Sequence, residues 1–284
     1  MFRIVHKDTN SKARLGVLQT AHGEVNTPIF MPVGTQGTVK AISNNELLEC
    51  GAEIILGNAY HLNLRPGLEI IKKAGGLHKF MGWQKPILTD SGGYQVFSLA
   101  KLRSLSEEGA EFSSHIDGSK HFITPEKAIE IQEALGSDIM MTFDECVHYP
   151  AARDYVEQSL ELTTKWARRS KEYLRSTHNA VRCTKKQLLF GIVQGSTYLD
   201  LRKKAVEELL TIEFDGYAIG GVSVGEPRNL MHEISSYTAS LLPEERARYL
   251  MGIGTPVDIL EAISNGIDMF DCVVPTRNGR NGQA

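Results

Sequence analysis

A repeating unit constrains this 284-residue chain more than any other feature: an apolar run of strand length, a polar or glycine-rich turn, then an amphipathic helix. Strand candidates recur at Ile29 to Gly34, Glu53 to Asn58, Pro86 to Ser91, Asp138 to Glu145, Leu188 to Gln194, Tyr217 to Val222, Tyr249 to Gly254 and Met269 to Pro275. Helices fit between them. Pro125 to Leu135 has Thr124 placed as N-cap, a proline at the first helical position and Gly136 as terminator. Arg153 to Arg175, Leu199 to Leu210 and Asn229 to Leu242 follow, and Pro256 to Ser264 carries the Thr-Pro start again. Strand–helix alternation implies a parallel sheet, and eight rounds of it imply a closed (β/α)8 TIM barrel, an α/β fold. Alternating segments such as Ala13 to Leu18 predict antiparallel strands that open the domain and cap a barrel end. Asp117-Gly118, centred in Glu111 to Thr124, predicts a hairpin inserted after the third strand. No linker or low-complexity segment divides residues 1–284, so they read as a single domain. The few residues after Pro275 leave no room for a last barrel helix, so the sequence is expected to be a piece truncated at its C-terminus.

Charge and cysteine usage narrow the function. Against 31 Lys and Arg stand 34 Asp and Glu, for a net charge of -3, which argues against an indiscriminate nucleic-acid binder but allows a local basic strip. No apolar run is long enough to cross a bilayer, and Met1 to Lys7 lacks the apolar core of a signal peptide, so a cytoplasmic location is expected. Cys50, Cys146, Cys183 and Cys272 are far apart, without metal-type or redox-type pairing. Cys50 and Cys183 read as reduced thiols.

In a barrel of this kind, reacting groups lie at the C-terminal ends of the strands. Those ends carry Asn58, Asp90, Asp144-Glu145-Cys146, Gln194, Gly220-Gly221, Met251-Gly252 and Asp271. Any one of the acids, taken alone, is equally a turn or capping residue; Asp90 reads as an Asx turn as readily as a ligand. Together they suggest displacement at a sugar carbon, with one carboxylate as nucleophile and another moving protons on and off the leaving group. Gln194 offers a donor and an acceptor to a heterocycle's edge. The bare N–H groups of Gly220 and Gly221 can approach an exocyclic oxygen, and Tyr94 and Met251 can sandwich a flat ring.

Six segments carry a resemblance: Leu88-Thr89-Asp90-Ser91-Gly92-Gly93-Tyr94-Gln95-Val96, Phe143-Asp144-Glu145-Cys146, Gly191-Ile192-Val193-Gln194-Gly195, Ile219 to Glu226, Tyr249 to Pro256, and Phe270 to Arg277. They resemble the bacterial-type tRNA-guanine transglycosylases of the queuine tRNA-ribosyltransferase family. The resemblance implies that Asp271 attacks C1′ of the wobble nucleotide of tRNA with a GUN anticodon, expelling guanine. Asp90 would be the proton acceptor that activates the incoming 7-aminomethyl-7-deazaguanine. Ser91, Gly92, Gly93, Asp144, Cys146, Gln194, Gly220, Gly221 and Val222 would form the base pocket, with Tyr94 and Met251 on the faces of the ring. Cys146 and Val224 look like the bacterial version. Val222 departs from the family's usual leucine, a change that spares the backbone carbonyl expected to hold the aminomethyl nitrogen.

Gly252, Ile253, Gly254, Thr255, Pro256, Val257 and Asp258, with Thr276, Arg277, Asn278, Gly279 and Arg280, resemble the family's tRNA-contacting segments. Arg277 and Arg280 read equally as a solvated chain end. No cofactor is implied for the chemistry. A structural zinc held by three cysteines and a histidine is implied, with ligands that would lie beyond Ala284, together with a homodimer of the full-length protein. Archaeosine-type exchange, a barrel enzyme cleaving small glycosides and a non-catalytic tRNA-binding subunit are the alternatives. The last should have lost its nucleophile, whereas Asp271 is retained.

Overall fold

The computed structural model describes residues 1–99, 103–180 and 187–283. Cys183 lies outside the described residues. The chain opens with strands β1 (Phe2–Lys7), β2 (Arg14–Thr20) and β3 (Gly23–Thr27), paired antiparallel in that order. Then come β4 (Ile29–Gly34), β5 (Ile55–Gly57) and β6 (Ile87–Thr89) of the barrel. A second antiparallel sheet, β7 (Arg103–Leu105), β8 (Ala110–Ser113) and β9 (Lys120–Ile123), interrupts after the third barrel strand. The barrel resumes with β10 (Ile139–Met141), β11 (Leu188–Val193), β12 (Gly216–Ile219), β13 (Ala247–Leu250) and β14 (Met269–Cys272). Pairing of β14 with β4, Asp271 opposite Met31, closes eight parallel strands into a ring.

All eight barrel strands expected from the apolar runs are present; β4 has the expected bounds, β12 and β13 begin one and two residues early, and all but β4 end short of the expected C-terminal residue. Trimming follows from chemistry: residues such as Asp90 and Gln194 leave the ladder to form the rim. The predicted hairpin exists as β8 and β9, and it carries the additional strand β7.

Helices α1 (Asn44–Glu49), α2 (Ala59–Leu64), α3 (Leu68–Ala74), α4 (Leu77–Met81) and α5 (Gly93–Leu99) are short. The longer ones are α6 (Pro125–Leu135), α7 (Arg153–Ala180), α8 (Leu199–Ile212), α9 (Arg228–Leu241) and α10 (Pro256–Ser264). Local sequence sets two of these starts. The Thr124 and Thr255 hydroxyls accept from the backbone N–H groups of Lys127 and Asp258, each followed by a proline whose missing N–H costs nothing there. The end of the chain corrects one bound: the last strand stops at Cys272 rather than Pro275, and Val274–Arg280 winds into a short helix, α11, which buries none of its residues.

Side chains fill the barrel. Met31, Leu56, Leu88, Met141, Phe190, Ile192, Ala218 and Tyr249 form one cluster that also takes in Phe2, Leu18 and Val25 of the first sheet. That sheet therefore stoppers the barrel, as expected, at the end where the strands begin. Two polar clamps fasten it. The buried Arg14 guanidinium donates to Asp268, which stands just before β14, at 2.9 and 2.6 Å, and to the carbonyls of Glu244 and Arg246. Asp138, just before β10, accepts from the backbone N–H of His22 and of Ile87 and meets the His22 and His78 rings at 2.8 and 3.1 Å. Those rings stack with centroids 3.7 Å apart.

A buried ion pair is fragile to loss of one partner because the other is left charged and dry. Asp268→Ala should therefore cost about 3–5 kcal/mol and lower the urea midpoint substantially. Lys7→Met, which removes the exposed pair with Glu244, should leave that midpoint nearly unchanged. Equal effects would show that the Arg14–Asp268 clamp does not hold the stopper.

Candidate active site

At the opposite end, the strand tips surround one cavity of about 470 Å3. Asn58, Asp90, Ser91, Tyr94, Asp144, Cys146, Gln194, Gly220, Gly221, Val222, Met251, Gly252, Asp271 and Arg277 all line it, so residues scattered over the sequence meet at one mouth. Val33, Leu56 and Tyr249, whose side chains also belong to the barrel cluster, contribute as well.

Asp271 is held by one oxygen only. Its Oδ1 accepts from the Tyr249 hydroxyl and from the Gly252 N–H at 2.8 Å. Its Oδ2 takes no hydrogen bond from the described residues, and the residue lines the same cavity as Asp90. Burial raises its carboxyl above the usual range, and the two donors offset part of that rise. Asp90 is held differently, with both oxygens occupied: Oδ1 by the first N–H of α2, Ala59, at 2.8 Å, and Oδ2 by the Asn58 amide. Burial pushes its carboxyl up to about 6, against the pull of those donors, and the neighbouring charge of Asp271 adds to the rise. An acid that titrates there exchanges protons readily near neutrality.

Asp144 is the third carboxylate on the cavity wall, buried like Asp90. Ser91 Oγ donates to its Oδ1 at 2.8 Å and Gln194 Nε2 to its Oδ2 at 2.7 Å. Burial pushes it up to about 6, with the charge of Glu145 contributing. The Gly-Gly turn exists to let this happen. A Cβ on Gly93 would sit 2.4 Å from the Asp144 carbonyl oxygen and 2.8 Å from its Oδ1, and Gly92 holds φ +81. Neither glycine lines the cavity; both allow Ser91, which also accepts from the Gly93 N–H, to reach Asp144.

Across the mouth, the structure separates the two glycine N–H groups that the sequence treats alike. The Gly220 N–H is spent on the Val193 carbonyl at 3.1 Å. The Gly221 N–H points to the sulfur of Cys146, a buried thiol pushed up to about 12 by burial and the charge of Asp144, and hence neutral. Tyr94, half exposed, and Met251, half buried, stand on the cavity wall. Glu145 turns away and accepts from the Tyr155 hydroxyl.

The two outer segments divide. Gly252, Thr255, Pro256 and Val257 are exposed, as are Gly279 and Arg280, while Thr276 and Asn278 are half buried. Arg277 is exposed on α11 and stands at the cavity lip. Ile253 is instead buried in the core, and Gly254 packs against Cys272, where a Cβ would come within 2.2 Å of the Cys272 Cβ. Asp258 is consumed by the Thr255 hydroxyl, Arg228 and His232, the last two at 2.6 Å. These three residues support the segment rather than face outward from it.

Four contributors carry no assigned role in the sequence reading. Asn58 is visible only as a rim residue, and its partner Asp90 cannot be inferred from spacing. Tyr249 lies inside an apolar strand and looks like core. Glu226 accepts from the Ser223 and Val224 N–H groups and fixes the loop after β12. Arg202 sits on α8 like any charged helix residue, yet is fully buried.

The family model described as Queuine tRNA-ribosyltransferase matches residues 8–284. Similar curated proteins of that name include one from Caldanaerobacter subterraneus subsp. tengcongensis, 61% identical over 281 residues, covering 99% of this chain and 73% of the relative. Another, from Pelotomaculum thermopropionicum, is 58% identical over 283 residues, covering 100% of this chain and 74% of that relative. A third, from Dictyoglomus turgidum, is 58% identical and covers 99% and 71% respectively.

The chain belongs to the queuine tRNA-ribosyltransferase family. It is thus a ribosyl-transferring enzyme built on a barrel, with its polar mouth where such barrels carry chemistry. The zinc set that the resemblance implies does not fit the described residues: their one metal-capable cluster is His22, His78 and Asp138, without a cysteine, and its carboxylate is already engaged by both rings.

For this queuine tRNA-ribosyltransferase family member, two carboxyls raised to about 6 mean that the native state holds more protons than the unfolded chain as pH rises from about 4 to 6. Stability contributed by protonated Asp90 and Asp144 is present at low pH and lost as pH rises through about 6. Urea unfolding of the unliganded protein at pH 5 and pH 7 should therefore show a smaller loss on raising pH for the Asp90→Asn, Asp144→Asn variant than for the parent. An unchanged pH dependence would show that these two carboxyls do not titrate where burial places them.

Proposed function

We propose that this chain exchanges the wobble guanine of tRNA bearing a GUN anticodon for 7-aminomethyl-7-deazaguanine, a step of queuosine biosynthesis, through a ribosyl-aspartate intermediate. The observation that carries this reading is Asp271: one oxygen is anchored by Tyr249 and Gly252, and the other is free in the cavity that also holds Asp90.

The nucleotide swings out of its stack, which an anticodon loop permits at low cost, and its base enters a cavity of a size suited to a flat bicycle. Asp271 Oδ2 attacks C1′. The C1′–N9 bond breaks, its electron pair leaves with guanine, and the Asp90 carboxyl gives guanine its proton as it departs, which leaves Asp90 a carboxylate. The incoming base gives its N9 proton to Asp90, and the freed nitrogen attacks C1′ to release Asp271. Two displacements retain the configuration at the sugar.

Asp144 accepts from the N–H groups on the pyrimidinone edge, held in place by Ser91 and Gln194. The Gly221 N–H serves the exocyclic oxygen. Because Glu226 takes the Ser223 N–H, the trans peptide turns the Val222 carbonyl the other way, toward the aminomethyl nitrogen. Val224 and Cys146 leave room for that group. Tyr94 and Met251 stack on the base, and Arg277 and Arg280 contact flanking phosphates. The enzyme works in the cytoplasm, without a cofactor for the chemistry, and the full-length protein forms a homodimer with a structural zinc.

Asp271→Ala should lower labelled-guanine exchange into an anticodon stem-loop by at least about 10³-fold and remove the denaturant-resistant RNA adduct, with the fold intact by circular dichroism. Persistence of the adduct would assign the nucleophile elsewhere. Release of sugar from free glycosides, without exchange into RNA, would favour a small-molecule enzyme.

A further inference from the structure

Arg202 is the most deeply buried arginine among the described residues and has no carboxylate at ion-pair distance; Arg248, 7% exposed, likewise donates only to carbonyls, but at the closed end of the barrel. Arg14, nearly as deeply placed, has Asp268. Burying a guanidinium without a directly paired carboxylate is costly, and the charge survives here: burial lowers Arg202 only to about 10, with the more distant charge of Glu226 opposing the fall. Its hydrogen bonds go entirely to main-chain carbonyls: Nε to Ser196 at 2.8 Å, one terminal nitrogen to Val193 at 3.0 Å and Gly220 at 2.7 Å, and the other to Gly221 at 3.1 Å. Those carbonyls belong to the tips of β11 and β12 and the loop after β11, the two tips that bring Gln194 and Gly221 to the cavity.

Peptide geometry makes this arrangement directional. In a trans peptide the C=O and the following N–H point to opposite sides. With the Gly220 oxygen drawn onto Arg202, the Gly221 N–H is turned to the far side, toward the neutral Cys146 sulfur. Sulfur is a weak acceptor, so a better one can displace it. The approach also requires glycine: a Cβ on Gly221, at φ +62, would lie 2.3 Å from Gln194 Oε1 and 3.4 Å from the guanidinium. A cation on the carbonyl oxygen also polarises the amide and makes its N–H a stronger donor.

Resting on the base-exchange reading above, we propose that Arg202 is a positioning residue for that reaction. From behind the pocket wall it aligns and polarises the Gly220–Gly221 peptide, so that the Gly221 N–H receives the exocyclic oxygen of the base. As the C1′–N9 bond breaks, the electron pair that leaves with guanine spreads onto that oxygen. The N–H bond strengthens most in the transition state, which makes the contact count in kcat rather than in ground-state binding alone.

The test compares Arg202→Gln and Arg202→Lys with the parent, each checked for melting temperature and circular dichroism. The readouts are labelled-guanine exchange into an anticodon stem-loop and competition by guanine against 2-aminopurine, which lacks the oxygen. Arg202→Gln should lose roughly 10- to 100-fold in kcat, with a smaller change in KM, and should lose preference for guanine over 2-aminopurine. Arg202→Lys, which keeps the charge, should recover part of both. Unchanged kcat and unchanged preference in a folded Arg202→Gln protein would overturn the proposal. The parent protein alone gives a second test that needs no variant. Isotope-edited infrared spectra of bound 6-¹⁸O guanine should show the carbonyl stretch moved to lower frequency than in water, and no shift would overturn the proposal. Failure of exchange by the parent itself would instead sink the base-exchange reading.

Discussion

Three carboxylates, two of them buried and one partly so, crowd one barrel mouth, and the surrounding architecture is what makes that tolerable. Each keeps its place by a different means. Asp90 is held by the start of α2 and the Asn58 amide, Asp144 by a hydroxyl and an amide, and Asp271 by two donors on one oxygen only. That asymmetry sets Asp271 apart from the other two. An acid with both oxygens occupied and a carboxyl near 6 suits proton exchange, while one with a free oxygen suits attack on carbon.

The other end of the barrel carries stability instead of chemistry. Arg14 with Asp268, and Asp138 with two stacked histidines, lock the first sheet under the strands, and the apolar filling of the barrel lies between these clamps and the cavity. The division follows the barrel's polarity: strand starts are closed by packing, and strand ends open into loops free to vary.

Much of this was legible in the residues. The eight apolar runs located every barrel strand, and the Thr-Pro starts of α6 and α10 fixed those helices to the residue because capping is local chemistry. The rim positions followed from the strand ends. What stayed hidden depends on contacts distant in sequence. Tyr249 reads as core until Asp271 arrives from the next strand. Arg202 reads as a solvated helix charge until four carbonyls, from two strand tips and the loop after β11, close around it. The Gly220 and Gly221 N–H groups look equivalent until the ladder claims the first. The C-terminal helix α11 escaped because Asn278 and Gly279 are weak helix formers and Val273, before its first-turn proline, offers no side-chain cap.

The central claim is that one aspartate at the mouth becomes joined to ribose while the others do not. Mass-spectrometric peptide mapping of the parent protein, quenched during turnover with an anticodon stem-loop and then digested with nuclease and protease, tests it most directly. The account predicts a ribose-bearing mass on the peptide containing Asp271 and on no other. The same mass on the peptide containing Asp90 or Asp144 would contradict it.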